Sequence, residues 1–244
     1  MFKKDYLVVI PARYNSKRLI GKPLLDICGI PMIVRTYRRC EKVFPKSKIL
    51  VATDDNRIKS VCEKYNIKSL ITSKRCLTGT DRIAEVSKKY KAKFYINVQG
   101  DEPLCGISDL KKLLKAAQKN PDKIINGYTK IKDRELYLSG NIPKVVFRKD
   151  GRLLYQSRAP IPTTKKFKFI KAWRQVCIYS LPYKVLKKFS VKKKTPLEEI
   201  EDCELLRFLE LGYDVDLIKM SNNSISVDTK SNLIEVRKII SKKK

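Results

Sequence analysis

The strongest constraint on this chain is an alternation in which short apolar runs give way to helical patterns and then return. Leu7–Ile10, Ile49–Thr53 and Tyr95–Val98 are apolar and only a few residues long, as buried strands are. Between them lie longer amphipathic stretches. These are Met32–Phe44, a segment with Ile58, Val61, Cys62 and Tyr65 at i, i+3, i+4 and i+7, and Thr80–Tyr90. Strands alternating with helices predict an α/β fold with a mostly parallel central sheet. Ligands of such sheets bind beyond the carboxyl ends of the strands, so the segments after Ile10, Thr53 and Val98 are expected on one edge.

The middle of the chain changes character. Val145–Phe147 and Leu153–Tyr155, joined through Asp150-Gly151, predict a β-hairpin. Residues 163–172 are basic and read as an exposed excursion, followed by a strand at Gln175–Tyr179. Thr195, Pro196 and Glu198 form the signature of a capping box, and one helix is expected from there to Gly212. A last strand is expected at Ser224–Val227, then a helix starting near Asp228–Thr229 and a frayed tail at Ser241–Lys244. No repeat or linker divides the chain, so residues 1–244 read as a single domain with an excursion over about 143–195.

Composition narrows the chemistry. There is no histidine, which excludes histidine triads, general bases and metal ligands. Seven cysteines occur, none at a two-residue spacing, and they read as reduced thiols of a cytoplasmic protein. No apolar run approaches a membrane span, and Leu7–Ile10 is too short for a signal-peptide core. The formal charge of +30 invites a nucleic-acid reading. Its lysines, however, are scattered along every segment without interleaved aromatics or a named module, as in Lys111, Lys112 and Lys115, so no nucleic-acid partner is expected.

Three segments carry candidate chemistry. Residues 11–24 place Arg13, Lys17, Arg18 and Lys22 in a loop after the first strand, with Gly21 permitting close backbone approach. The loop is either a solvated basic turn or a cradle for phosphates, and it lacks the spacing of a Walker A loop. Asn97-Val98-Gln99-Gly100-Asp101-Glu102-Pro103 puts Asp101 just past a strand, as a turn residue or a hard oxygen ligand for Mg²⁺. Asp228, in Ser226-Val227-Asp228-Thr229, is either a helix cap or a second such ligand.

Taken in order, the residues resemble a known family. Val9-Ile10-Pro11-Ala12-Arg13-Tyr14-x-Ser16-x-Arg18-Leu19-x-Gly21-Lys22-Pro23-Leu24, Val51-Ala52-Thr53-Asp54-Asp55, Thr78-Gly79-Thr80-Asp81-Arg82 and residues 97–103 are similar to the 3-deoxy-manno-octulosonate (Kdo) cytidylyltransferases. So are Tyr155-x-Ser157-Arg158-x-x-Ile161-Pro162, Ile178-Tyr179, Pro196-Leu197-Glu198-x-Ile200-Glu201 and Val227-Asp228-Thr229. The resemblance implies a Rossmann-like, GT-A-like nucleotidyltransferase sheet with an inserted dimerisation region, and a homodimer. It implies that CTP and an ulosonic acid give CMP-sugar and pyrophosphate for lipopolysaccharide synthesis, with Mg²⁺ as cofactor.

Residue by residue, the resemblance places Ala12, Arg13, Ser16, Arg18, Lys22, Gly79, Thr80 and Arg82 at the nucleotide. It places Asp101 and Asp228 at Mg²⁺, with Lys22 and Arg13 completing the catalytic set. Gln99, Arg158, Tyr179 and Glu204 fall around the sugar acid, with Arg158 suited to grip its carboxylate. The chain departs from the family pattern mainly on that side: Gln175 stands where the family has His, Cys177 where it has Gly, and Gln156 where it has Phe. Gln175 is therefore expected to read a sugar substituent differently, and an amino-substituted Kdo or a neuraminate-like acid is the alternative substrate.

Overall fold

The computed structural model describes residues 4–16, 18–191 and 193–242. Lys17 of the basic loop and the last two residues of the expected tail lie outside the described residues. The strands are β1 (Lys4–Ala12), β2 (Asp26–Ile27), β3 (Ile30–Pro31), β4 (Ile49–Thr53), β5 (Ser69–Ile71), β6 (Ala92–Val98), β7 (Ile124–Lys130), β8 (Lys144–Phe147), β9 (Leu153–Ser157), β10 (Trp173–Pro182) and β11 (Val215–Lys219). The helices are α1 (Met32–Glu41), α2 (Asn56–Lys64), α3 (Gly79–Lys89), α4 (Ile107–Lys119), α5 (Arg134–Leu138), α6 (Tyr183–Phe189), α7 (Pro196–Glu201), α8 (Leu205–Glu210) and α9 (Lys230–Ser241).

The main sheet runs β11-β7-β10-β6-β1-β4-β5. β1 is parallel to β4 and β6, β4 to β5, and β11 to β7, while β10 runs antiparallel between β6 and β7. Both faces are covered, which explains why β1 reads as an unbroken apolar run rather than an alternation. Val8 and Ile10 join the face packed by Ile33 and Tyr37 of α1, Ile58 and Cys62 of α2 and Leu113 of α4. Leu7 and Val9 join the face packed by Ile83 and Val86 of α3, Leu186 of α6 and Phe208 of α8. The β8–β9 hairpin, turned at Gly151 with φ 92°, attaches to β10 through Arg174 and Lys144. The excursion is exposed, with Phe167 at its tip, and its return is anchored by buried Ala172 and by Phe169 stacked on Tyr137. The cysteines are all free.

Two expectations fail. The helix expected from Thr195 to Gly212 is two helices, α7 and α8. Only half of the capping box forms, the Thr195 N–H donating to Glu198 (3.4 Å), and Asp202 takes a left-handed conformation at φ 47° and turns the chain at Cys203–Glu204. The strand expected at Ser224–Val227 is an extended loop, pinned by the Val227 N–H to the Asp101 carbonyl (3.0 Å). The strand that completes this edge is β11, nine residues earlier in the chain.

β10 contains an irregularity that matters for the site. Gln175 pairs with Tyr128 and Tyr179 with Asn126, so four steps along β10 answer two along β7. The Asn126 side-chain amide donates to the Val176 and Ile178 carbonyls (3.1 and 2.9 Å), replacing ladder bonds that the bulge removes. Among the described residues no helix is long and apolar enough to cross a membrane.

Candidate active site

The loops after β1, β4 and β6 meet on one edge, as expected of parallel neighbours. The Gly100 N–H donates to the Pro11 carbonyl (3.3 Å), and a Cβ at Gly100 would lie 2.9 Å from that oxygen, so only glycine allows this approach. The Tyr14 N–H donates to Asp54 Oδ1 (3.2 Å) beyond β4. The Tyr14 carbonyl accepts from Ser16 and Gly21 (3.0 and 2.9 Å), folding the basic loop onto itself. Gly21, at φ 67°, then turns the chain into a short 3₁₀ helix that starts at Lys22.

That turn delivers Lys22 between two carboxylates. Its Nζ lies 2.5 Å from Asp101 Oδ2 and 3.1 Å from Asp228 Oδ1. Arg18 reaches the same Asp228 oxygen (2.9 Å) and Asn141 Oδ1 (2.6 Å). Burial opposes the Lys22 charge, but the two carboxylates outweigh it and hold the ammonium above the ordinary lysine value. Asp101 and Asp228 are far apart in sequence, yet they converge on one cation. Two hard oxygen donors open to a cleft suit Mg²⁺, which takes its remaining ligands from water and substrate phosphates. Among the described residues no group of three or more His, Cys, Asp or Glu could hold a metal ion. Behind the pair, burial and then Asp101 push the Glu102 carboxyl up to about 7, while the Ser224 hydroxyl hydrogen-bonds to it.

The cleft has a volume of about 1870 Å³ and is lined by Ala12, Arg13, Ser16, Arg18, Lys22, Gly79, Arg82, Gln99, Asp101, Arg158, Gln175, Tyr179, Glu204 and Asp228 among others. This exceeds the few hundred to about 1,000 Å³ of a one-ligand pocket and leaves room for two substrates. α3 points its capped N-terminus here, with Thr78 and Asp81 forming a capping box. A Cβ at Gly79 would sit 2.8 Å from Gln99 Nε2, so glycine lets Gln99 lie over the helix end. The Thr80 N–H donates to Glu204 (3.3 Å), and the buried Thr80 hydroxyl has no partner among the described residues. Glu204 faces the cleft because α7 and α8 break beside it. Burial raises its pKa against the opposing bond from Thr80.

Two expected ligand contacts are already committed. Arg82 is 3% exposed, and it donates to Thr72 Oγ1 (2.5 Å) and Asp54 Oδ2 (3.0 Å), tying α3 to the loops after β4 and β5. Arg82 thus lines the cleft with its guanidinium held by Thr72 and Asp54. Arg158 lies at the cleft edge, but its guanidinium donates to the carbonyls of Glu201 (2.8 Å), Gly140 (2.9 Å) and Asp202 (2.9 Å). The carboxylate grip expected of it requires exchanging these bonds. Arg13 is exposed on the cleft wall. Sequence reasoning gave no role to Asp54, although its motif was noted, and missed Glu201, which accepts from Ser157 Oγ (2.5 Å) and the Arg158 N–H (2.8 Å). The Glu-x-Ile-Glu run that holds Glu201 was the available signal.

Lys144 was also missed, and nothing in its local sequence marks it. It is wholly buried, and its ammonium donates to the carbonyls of Ser139 (2.8 Å), Ile142 (2.9 Å) and Arg158 (2.6 Å), fastening the 139–142 loop beside Arg158. Burial, with Arg158 nearby, pushes its pKa down to about 8 from 10.5. The folded chain thus releases this proton near pH 8 and the unfolded chain near 10.5, so between the two the unfolded chain holds more protons. This contribution to stability rises with pH across that window. Urea unfolding at pH 8 and pH 10 is expected to show the wild type gaining relative to Lys144→Met, which cannot titrate. A constant gap would contradict it.

Comparison with known proteins agrees with this arrangement. A model of the cytidylyltransferase family matches residues 7–219. The chain is 38% identical over 233 residues to the 3-deoxy-manno-octulosonate cytidylyltransferase of Fusobacterium nucleatum, covering 95% of each chain. It is 34% identical over 234 residues to the Escherichia coli protein of the same name, covering 96% of this chain and 95% of that one. A solved CMP:2-keto-3-deoxy-manno-octonic acid synthetase complexed with CTP matches with a TM-score of 0.90 at 33% identity, over 99% of this chain and 100% of that one. With its fold, its cleft and its sequence in agreement over nearly the whole length, the chain belongs to the cytidylyltransferase family, among the 3-deoxy-manno-octulosonate cytidylyltransferases.

Proposed function

We propose that this chain transfers CMP from CTP to a 3-deoxy-ulosonic acid, Kdo or a close analogue, and releases pyrophosphate, a step toward lipopolysaccharide or a related surface glycan. The observation that carries the reading is the convergence of Lys22, Asp101 and Asp228 on one cleft edge beside the basic loop, in a member of this family. In the reaction the anomeric hydroxyl attacks the α-phosphate of CTP and the bond from that phosphorus to the β-bridging oxygen breaks. Such a transfer leaves the protein mainly positioning and charge stabilisation. Arg13, Arg18 and Lys22 supply positive charge toward the triphosphate and the departing pyrophosphate, with Ser16 and the backbone around Ala12 and Gly79 holding the nucleotide. Asp101 and Asp228 would hold Mg²⁺, which when bound polarises the α-phosphate and lowers the pKa of the attacking hydroxyl. Gln99, Tyr179 and Glu204 orient the sugar acid, and Arg158 meets its carboxylate.

The same reading makes the protein a cytoplasmic homodimer. Its free thiols suit a reducing compartment, and the exposed Phe167 and Ile170 of the excursion are the apolar surface a second copy would cover. The test is pyrophosphate release from CTP and Mg²⁺ with Kdo, an amino-substituted Kdo and a neuraminate. Release with Kdo is the expected result. Release only with one of the other acids reassigns the substrate, and no release with any of them overturns the proposal.

A further inference from the structure

The two glutamines that depart from the family pattern, Gln156 and Gln175, touch each other. Gln156 Nε2 donates to Gln175 Oε1 (2.7 Å), and Gln175 Nε2 donates to the Tyr179 hydroxyl (2.7 Å). Burial and then the neighbouring Glu204 carboxylate raise the pKa of that hydroxyl, and Glu204 also accepts from the Thr80 N–H (3.3 Å). The four side chains form one line from β9 through β10 to the break between α7 and α8. The bulge makes the line possible. Residues four apart on a regular strand are separated by about 13 Å, too far for this bond. Here Gln175 and Tyr179 span only two residues of β7, which halves the separation.

The direction of the line is set where it meets Tyr179. The Tyr179 oxygen accepts from Gln175 Nε2, so the amide carbonyl of Gln175 is left facing Gln156 and needs a donor there. Gln156 supplies it. Gln156 is 1% exposed, and its own Oε1 has no hydrogen-bond partner among the described residues. An orphaned buried acceptor is destabilising compared with an apolar side chain of the same size. This residue is therefore explained by what its amide nitrogen does.

We propose that Gln156 and Gln175 act as one positioning unit that orients Tyr179 and Glu204 toward the sugar acid, so that Gln175 sets the selectivity of that side through Tyr179 rather than by reading a substituent itself. Gln156 is a positioning residue with no contact to the cleft. The unit has no titrating group, whereas a histidine at 175 would bring one with a pKa near 6.5 into the line. The identity of the ligand rests on the function proposed above, but the existence of the line does not.

The test has two arms. In the first, Gln175 side-chain amide resonances are followed by NMR in the ligand-free protein, with assignment by Gln175→Leu. They are expected to shift on Gln156→Met and on Tyr179→Phe, and resonances insensitive to both changes overturn the unit whatever the protein turns over. In the second, Gln156→Met is expected to raise the KM for the sugar acid roughly tenfold, the effect of losing about 1.4 kcal/mol of alignment, with the KM for CTP within twofold. Its melting temperature is expected to stay level, since the orphaned Gln156 carbonyl is gone while the Gln175 carbonyl loses its donor. A fall in melting temperature with both KM values raised alike would make Gln156 merely structural. Gln175→His is expected to add to the pH profile of the KM for the sugar acid an inflection between pH 6 and 7, over and above what Glu102 and Glu204 give the wild type, and Gln156→Phe added to it is expected to recover activity. Additive losses in the double variant would overturn the pairing.

Discussion

Asp101→Asn is expected to slow pyrophosphate release from CTP and Kdo at least ~100-fold, a loss of about 2.7 kcal/mol of transition-state stabilisation. The substitution keeps the size of the side chain and an oxygen for Lys22 to bond, and it removes only the charge. The structure makes that charge consequential because Asp101 shares one ammonium with Asp228 across 127 residues of chain. With one carboxylate gone, the remaining pair is Lys22 and Asp228, and Lys22 keeps one anionic partner in place of two. The KM for CTP should move much less than kcat, since the nucleotide is held by the basic loop and the backbone around Gly79. A near-normal rate would remove Asp101 from the reaction.

The largest stability effect is expected at Arg207, which does not itself line the cleft. Its guanidinium is fully buried, 2.5 Å from Glu198 and 2.9 Å from Asp81, and it packs 3.8 Å from the Phe189 ring centroid. Asp81 and Glu198 are the acids of the capping boxes of α3 and α7, so a single arginine fixes the two helix starts relative to each other. Breaking a buried pair from one side leaves an uncompensated charge, and Arg207→Met should cost about 3–5 kcal/mol in urea unfolding. Glu198→Gln, which keeps an acceptor for the guanidinium, should cost clearly less. A loss below about 1 kcal/mol for Arg207→Met would mean that water reaches Glu198 without it. Since Thr80 and Glu204 lie on the same two units, the variant should also raise the KM for the sugar acid.

The sequence made the carboxyl edge legible because β1, β4 and β6 are covered on both faces and appear as plain apolar runs. β7 and β11 escaped for opposite reasons. β7 carries Asn126-Gly127, a pair that favours turns, but here Asn126 stitches the bulge of β10 and Gly127 makes room for Met220, whose Cγ would lie 2.8 Å from a Cβ at that position. β11 is no less apolar than the stretch at Ser224–Val227, but with five residues its alternation is too short to single it out. The break at Asp202 left no trace, because the apolar spacing continues through it and only the backbone turns. At the site, residues whose partners are other side chains of the motifs, Lys22 with Asp101 and Asp228, were found from sequence. The present bonds of Arg158 and the burial of Lys144 were not legible because their partners are backbone carbonyls of distant loops, which a motif does not encode.

The antiparallel placement of β10 has a consequence for the order in which the molecule is made. As the chain emerges, β5, β4, β1 and β6 can pair with one another, leaving β6 as a bare edge. β7 comes next along the chain but cannot dock on that edge, since its place there belongs to β10, still more than 40 residues from being synthesised. The early half therefore waits with an unpaired strand, and the later half has to enter through one long-range insertion, the slow and aggregation-exposed kind of step. Asp101, at the tip of the waiting strand, meets Asp228 only after that insertion. A ribosome stalled anywhere before Trp173 would hold a chain with half a sheet and no site.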